Sequence, residues 1–206
     1  MKEDILEQLV DDYLLAKGYF TRHNLKFKPR TDHPDFVTKD DSNHSDIDVL
    51  GYHPLRSGPD RVVAVSCKSW QGGFNVAAGL RDIAANRRVS GRVAWKFFRE
   101  LVRPKWSEAF RAAIERETGS SQFTYVTAVT VLKGGASLWE SEPSFQEAMN
   151  QNPIRIWTLN DMLTELFPTL GTTVASSQLG RTLQLMKACG WSSISKPNVA
   201  RGLTPR

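Results

Sequence analysis

Apolar positions recur at helical spacing at the start of the chain. Ile5, Leu6, Leu9, Val10, Tyr13 and Leu14 fall on one side of a helix over about 3–17, and Gly18 is a suitable stop. Residues 19–27 then read as a first strand. Residues 29–44 are rich in Asp, Pro, Asn and Lys with little to bury, so they read as a mobile loop. Alternating runs at about 45–52 and 61–68 predict two further strands, joined through the turn signal Ser57-Gly58-Pro59-Asp60.

After the break at Gln71-Gly72-Gly73, Asn75 is placed to cap a helix of about 76–90 that buries Val76, Leu80, Ile83 and Ala84. A second helical stretch, about 92–117, is interrupted near Pro104 and carries Arg and Lys between its aromatic residues. Residues 122–132 and 154–159 read as strands. A helix at 143–149 lies between them, and another, capped by Asn160-Asp161, ends near Phe167. A small-residue linker at 172–177 leads to a last helix marked by Leu179, Leu183 and Met186, which stops at Gly190 before a loose tail. This order predicts an α/β fold with a mixed central sheet flanked by helices. It divides into an α/β domain at 1–171 and a C-terminal helical extension and tail at 172–206.

Composition agrees with such a core. The chain has 206 residues, 40% hydrophobic and 24% charged, which suits one globular domain and excludes a disordered chain. No run approaches the roughly 20 apolar residues of a membrane span, and the opening Met1-Lys2-Glu3-Asp4 starts no apolar signal segment. Cys67 and Cys189 are the only cysteines, too few for a disulfide framework or a four-cysteine zinc site, so a reducing cytoplasm is expected. The formal charge of +5 is unevenly spread. Residues 1–60 hold 8 Lys/Arg against 12 Asp/Glu, whereas residues 81–117 hold 10 against 5. A polyanion held by the second region would have its phosphate near the acids of the first.

Those acids include a chemical constellation. In the run from Ser45 to Gly51, strand alternation puts Asp46 and Asp48 on one face. In the run from Val63 to Trp70 it puts Ser66 and Lys68 on one face. Ile47, Val49, Val63, Val65 and Cys67 then point the other way and supply core. A hairpin centred on Ser57-Gly58 sets Asp48 opposite Ser66 and brings two carboxylates beside one lysine, a frame for metal-assisted hydrolysis.

The order of helix, strand, strand with Asp, strand ending in Lys, and helix resembles the PD-(D/E)XK nuclease superfamily, which has the restriction-endonuclease-like fold. The likeness is greatest to Mrr-like restriction endonucleases and archaeal Holliday-junction resolvases. Glu7, Val10, Tyr13, Leu14 and Gly18-Tyr19-Phe20 are similar to the family's opening helix, and Cys67-Lys68-Ser69-Trp70 resembles its Cys-Lys-x-Trp ending. The resemblance covers residues 7–70 and implies a three-layer core and a Mg²⁺-dependent DNA endonuclease, with Mn²⁺ as a substitute ion. It implies Asp48 as first metal ligand, Lys68 as catalytic lysine, and Glu7, Asp46 and the Cys67 carbonyl as further contributors. It also implies DNA as partner and, since many relatives act as dimers, a homodimer.

Ser66 departs from the pattern. The family places an acid or Gln there, and a neutral hydroxyl is a weaker Mg²⁺ ligand than a carboxylate. Three readings follow: a nuclease whose metal shell is rearranged, a nuclease fold that binds nucleic acid without cleaving it, and an assembly protein using the fold as a platform. Arg81, Arg87, Arg88, Arg92, Lys96 and Arg99 are candidates for phosphate contacts, and Trp70 and Gln71 are candidates at the turn beside the site. Each residue also has an ordinary reading. The aspartates suit a solvated strand face, Glu7 an acidic helix face with Glu3 and Asp11, and Cys67 the core. His23, His33, His44 and His53 have no metal-ligand spacing.

Overall fold

The structure, a computed structural model, describes residues 4–175 and 177–191. Helix α1 (Ile5–Ala16) begins at Asp4, whose Oδ1 accepts from the Leu6 amide at 2.8 Å. Gly18, with φ +84°, turns the chain into β1 (Phe20–Phe27), close to the expected strand. Short helix α2 (Thr38–Asp41) precedes β2 (Ser45–Tyr52) and β3 (Val62–Lys68). Next come β4 (Phe74–Asn75), α3 (Val76–Ala84), a hairpin of β5 (Arg88–Val89) and β6 (Arg92–Val93), α4 (Arg99–Val102) and α5 (Pro104–Thr118). The chain continues through β7 (Thr124–Val129), β8 (Leu132–Lys133), α6 (Ser137–Glu140), α7 (Pro143–Ala148), β9 (Ile154–Thr158), α8 (Leu159–Thr169) and α9 (Gln178–Ala188).

The main sheet runs β1-β2-β3-β7-β9. Its first three strands are antiparallel and its last three parallel. Helices cover both faces, giving three layers. On one face Trp106, Phe110 and Ile114 of α5 pack with Leu101, Trp139 and Phe145 against Leu25, Ile47, Ala64 and Tyr125. On the other, α1, α8 and α9 bury Leu9, Leu14, Met162 and Leu183 against Val49, Val63, Val65 and Val126. This is the expected α/β architecture with a mixed central sheet. Helix α9 joins the second face through Leu183 and through Ser177, whose hydroxyl donates to Asp12 at 2.6 Å. The tail at 192–206 lies outside the described residues. No helix among the described residues is long and apolar enough to cross a membrane.

Several local expectations give way. The helix expected over 76–90 stops at Ala84, and residues 88–93 form a hairpin whose turn residues Ser90 and Gly91 both take positive φ, as a tight turn with matching twist requires. The helical run expected from 92 is therefore a hairpin strand, a 3₁₀ turn and α4, before Pro104 opens α5. The strand expected over 122–132 is β7 and a separate β8. Helix α8 is capped by Thr158, whose Oγ1 accepts from the Asp161 amide at 3.1 Å, so Asp161 is its third residue. The segment 29–44 is anchored, because Asp41 is fully buried and accepts from Val37 N at 2.8 Å, Trp106 Nε1 at 3.1 Å and Lys105 Nζ. The sequence showed little to bury there, since what is buried is a charge.

Candidate active site

Strand β2 meets β3 through Tyr52↔Val62, Gly51↔Val63, Leu50↔Ala64 and Val49↔Val65. The next positions, Asp48 and Ser66, therefore face each other, as the hairpin expectation required. Beyond Val49 the backbone ladder gives way to a side chain: Asp48 Oδ2 accepts from the Cys67 amide at 2.6 Å. Asp48 thus closes the end of the β2–β3 pair through one charge-assisted bond, with its second oxygen left for other work. The alternation expected for β2 fails at this point. Ile47 enters the α5-side core but Val49 enters the α1-side core, and Asn24 on neighbouring β1 takes φ +52°. Asp46 and Asp48 nonetheless line the same cleft.

That cleft, about 410 Å³, is walled by β2, β3 and the segment from β6 to α4. At its floor Ser66 is buried and Lys68 half-buried; Lys68 Nζ donates to Ser66 Oγ at 2.7 Å and lies 5.5 Å from the centre of the Phe98 ring. A hydroxyl and an aromatic face thus fix the ammonium, and no carboxylate among the described residues pairs with it. Opposite stands Glu100, 5% exposed, whose Oε1 accepts from the buried Tyr125 hydroxyl at 2.7 Å. Burial pushes the Asp48 carboxyl above the usual carboxylate range. Lys68 and the Cys67 amide oppose this, while the negative charges of Glu100 and Asp46 add to it. The cleft rim is basic: Arg92, Lys96 and Arg99 line it, with Lys96 paired to Asp40 at 2.8 Å and Arg99 stacked 4.5 Å from the Trp106 ring centre.

The structure therefore gathers Asp46, Asp48, Ser66, Lys68, Arg92, Lys96 and Arg99 in the lining of one cleft, which the side chains of the other candidates do not line. Glu7 lies on α1 outside the cleft lining, near enough for Asp48 and Lys68 to act on its carboxyl by charge. The Cys67 side chain packs into the α1-side core and burial pushes its thiol well up, while its backbone, the part that the resemblance implicates, stays beside Asp48 through its amide. Trp70 packs on Phe74, Phe97 and Phe98, and Gln71 is exposed in the turn. Arg81, Arg87 and Arg88 are exposed outside the cleft, with Arg87 paired to Asp82 at 3.6 Å. His44 also lines the cleft.

Glu100 is the residue that sequence reasoning missed. It lies in a stretch that reads as one long basic helix, and its acid offered no spacing to Lys68 that would mark it. Only its flanking cations, Lys96 and Arg99, pointed to this region. Its position adds a carboxylate to a cleft already lined by Asp48 and Asp46, where Ser66 has none to offer. Among the described residues no group of three or more His, Cys, Asp or Glu is placed to hold a metal ion. The carboxylates of Asp46, Asp48 and Glu100 and the Ser66 hydroxyl are oxygen donors, which fits a hydrated Mg²⁺ held by one or two carboxylates and does not fit an all-protein cage. No family model, curated protein or solved structure matches the chain.

Proposed function

We propose that the chain is a divalent-metal-dependent endonuclease of the PD-(D/E)XK kind that hydrolyses phosphodiester bonds in DNA. The observation that carries this reading is the collection of Asp48, Ser66, Lys68 and Glu100 in one cleft under a basic rim. Asp48 and Glu100 are the residues that would hold Mg²⁺ or Mn²⁺, with Asp46 at the cleft edge as a further acid. The ion, when bound, supplies a bound water of lowered pKa and charge stabilisation at the phosphate oxygens. The protein groups do the rest. Lys68, oriented by Ser66 and Phe98, neutralises charge on the pentacoordinate phosphate, and its fixed position means little reorganisation is needed during reaction. Tyr125 holds Glu100 in the cleft, and the Cys67 amide holds Asp48. Arg92, Lys96 and Arg99 bind flanking phosphates, which gives affinity without sequence choice.

The test is plasmid nicking under Mg²⁺ or Mn²⁺ by wild type, Asp48→Ala, Lys68→Ala and Glu100→Ala. Loss of cleavage in all three variants with folded protein and retained DNA affinity supports the reading. Metal-dependent nicking that persists in purified Asp48→Ala overturns it. A second reading, a DNA-binding module without cleavage, draws on the neutral Ser66 and the absence of a three-ligand group among the described residues. It expects salt-sensitive binding, no nicking under either ion, and a gain of nicking in Ser66→Glu.

A further inference from the structure

Beside the cleft lies a second cavity, about 440 Å³, with a different character. Its walls are Trp70, Phe74, Phe97 and Phe98, with Ile83 of α3 and Val89 of the β5–β6 hairpin. The two cavities are separated by little more than aromatic rings. Phe97 lines both, and Arg92 lies 5.5 Å from its ring centre. Phe98 carries Lys68 on its ring while also lining the apolar cavity. The rings stand steeply to one another: Trp70 to Phe97 is 5.6 Å between centres at 87°, and Phe74 to Phe98 is 5.7 Å at 43°.

Gly79 contributes to this packing. A Cβ there would come within 2.8 Å of the Phe74 ring, so α3 accepts a glycine in its interior in order to lie close over Phe74. Polar groups are few. Asn75 spends its Oδ1 on the α3 cap and leaves its amide nitrogen without a partner among the described residues, and Asp82 and Ser90 complete the lining. The hairpin that forms one wall carries Arg88 and Arg92 and is flanked by Arg87.

We propose that this cavity receives a single unstacked nucleobase of the strand bound in the cleft. The inference rests on the reading of the cleft as a DNA site and names its substrate class: DNA in which one nucleotide is bulged, mispaired or single-stranded. A base has two apolar faces and a polar edge, and the cavity offers ring walls with a few polar groups. A nucleotide also carries a phosphate on each side, and cations stand next to the lining residues: Arg92 over Phe97, Lys68 over Phe98 and Arg88 beside Val89, while Arg87 is paired to Asp82. An apolar peptide side chain would match the walls but would bring no negative charge to Arg88 and Arg92. The energy of unstacking is smallest for a base that is already unpaired, so the cavity favours such substrates over intact duplex.

The experiment compares fluorescein-labelled duplexes of one sequence, fully paired or with a single bulged nucleotide, by anisotropy in EDTA and again with Ca²⁺ in place of Mg²⁺. Wild type is expected to bind the bulged duplex about tenfold more tightly, within what one base stacked on aromatic side chains contributes. Ala78→Trp, which fills the cavity from α3, is expected to remove that ratio. Phe97→Leu, which keeps an apolar residue but loses the shared ring, serves where Ala78→Trp does not fold. Equal affinity of wild type for both duplexes overturns the base site and leaves the nuclease reading standing. So does a preference that survives both substitutions. Binding of neither duplex under either condition overturns the DNA reading and the base site together.

Discussion

The Tyr125 hydroxyl donates to Glu100 Oε1 at 2.7 Å, joining two residues 25 apart in sequence. Tyr125 is wholly buried in β7. Burial, the Glu100 charge and the bond to it push its hydroxyl well up, so it stays a neutral donor. A sheet residue thereby holds the carboxylate of a short helix in the cleft that Asp48 also lines.

If Glu100 supplies the acid that Ser66 lacks, its loss acts on catalysis and not on the fold. Glu100→Gln is expected to lower single-turnover cleavage about 100-fold or more while shifting the metal dependence to higher Mn²⁺. Tyr125→Phe, which keeps the ring and removes only the donor, is expected to cost about tenfold and to show the same metal shift. Cleavage assays across a Mn²⁺ series on both variants decide the matter, and unchanged metal dependence in either would reject the role given to Glu100.

Arg92 lines the cleft whereas Arg81 stands outside it. Each phosphate contact contributes about 0.9 to the slope of log K against log salt on duplex DNA. Arg92→Ala is therefore expected to reduce that slope by about 1 and to weaken all sequences alike. Arg81→Ala is expected to leave the slope as it is. A salt titration of binding in EDTA measures both.

Burial, followed by the charges of Asp48 and Asp4, raises the Glu7 carboxyl from its ordinary 4.5 to about 7, against the opposing pull of His23 and Lys68. The folded protein holds this proton more tightly than the unfolded chain. Its contribution is thus fully present below about pH 4.5 and is lost as pH rises to about 7. Glu7 is partly exposed, so solvent screening reduces the effect to on the order of 1 kcal/mol. Glu7→Gln is expected to flatten this part of the pH profile. Urea unfolding at pH 5 and pH 8 gives the comparison, and an unaltered slope in the variant would remove Glu7 from the account.

Asp41 anchors the segment before β2. Burial raises its carboxyl, but hydrogen bonds from Lys105, the Val37 amide and Trp106 outweigh this and hold it low. Asp41→Ala leaves the Val37 amide and Trp106 Nε1 without their acceptor and Lys105 without its counter-charge, with only the Asp35 carbonyl to accept from it, and is expected to cost about 3 kcal/mol. Asp41→Asn keeps an acceptor and is expected to cost less. Because the folded carboxyl is depressed, its stabilisation is present above about pH 4 and lost on acidification. Equal urea midpoints for Asp41→Ala and wild type would exclude the anchoring role.

Much of the sheet was legible because its signals are local. Strand-forming runs marked β1, β2 and β3, and a hairpin assumed to centre on Ser57-Gly58, across a long connection, has the register of the observed Val49↔Val65 pair. Asp48, Ser66 and Lys68 could be paired because the strands carrying them are sequence neighbours. The hairpin at 88–93 was not legible. Its arginines and valines suit a helix as well as a strand, and the positive φ at Ser90 and Gly91 decides between them.

By itself the sequence determined which residues share the first three strands, where α1 starts and stops, and that acid precedes base along the chain. Each of these follows from side-chain periodicity or turn chemistry within a few residues. The tertiary structure alone decided that Glu100 enters the cleft, that Asp41 is buried and that Glu7 lies outside the cleft lining yet within charge range of Asp48. Those placements depend on how helices dock on the two faces of the sheet. Docking is set by the shapes of packed side chains far apart in sequence, which leave no periodic trace in the chain.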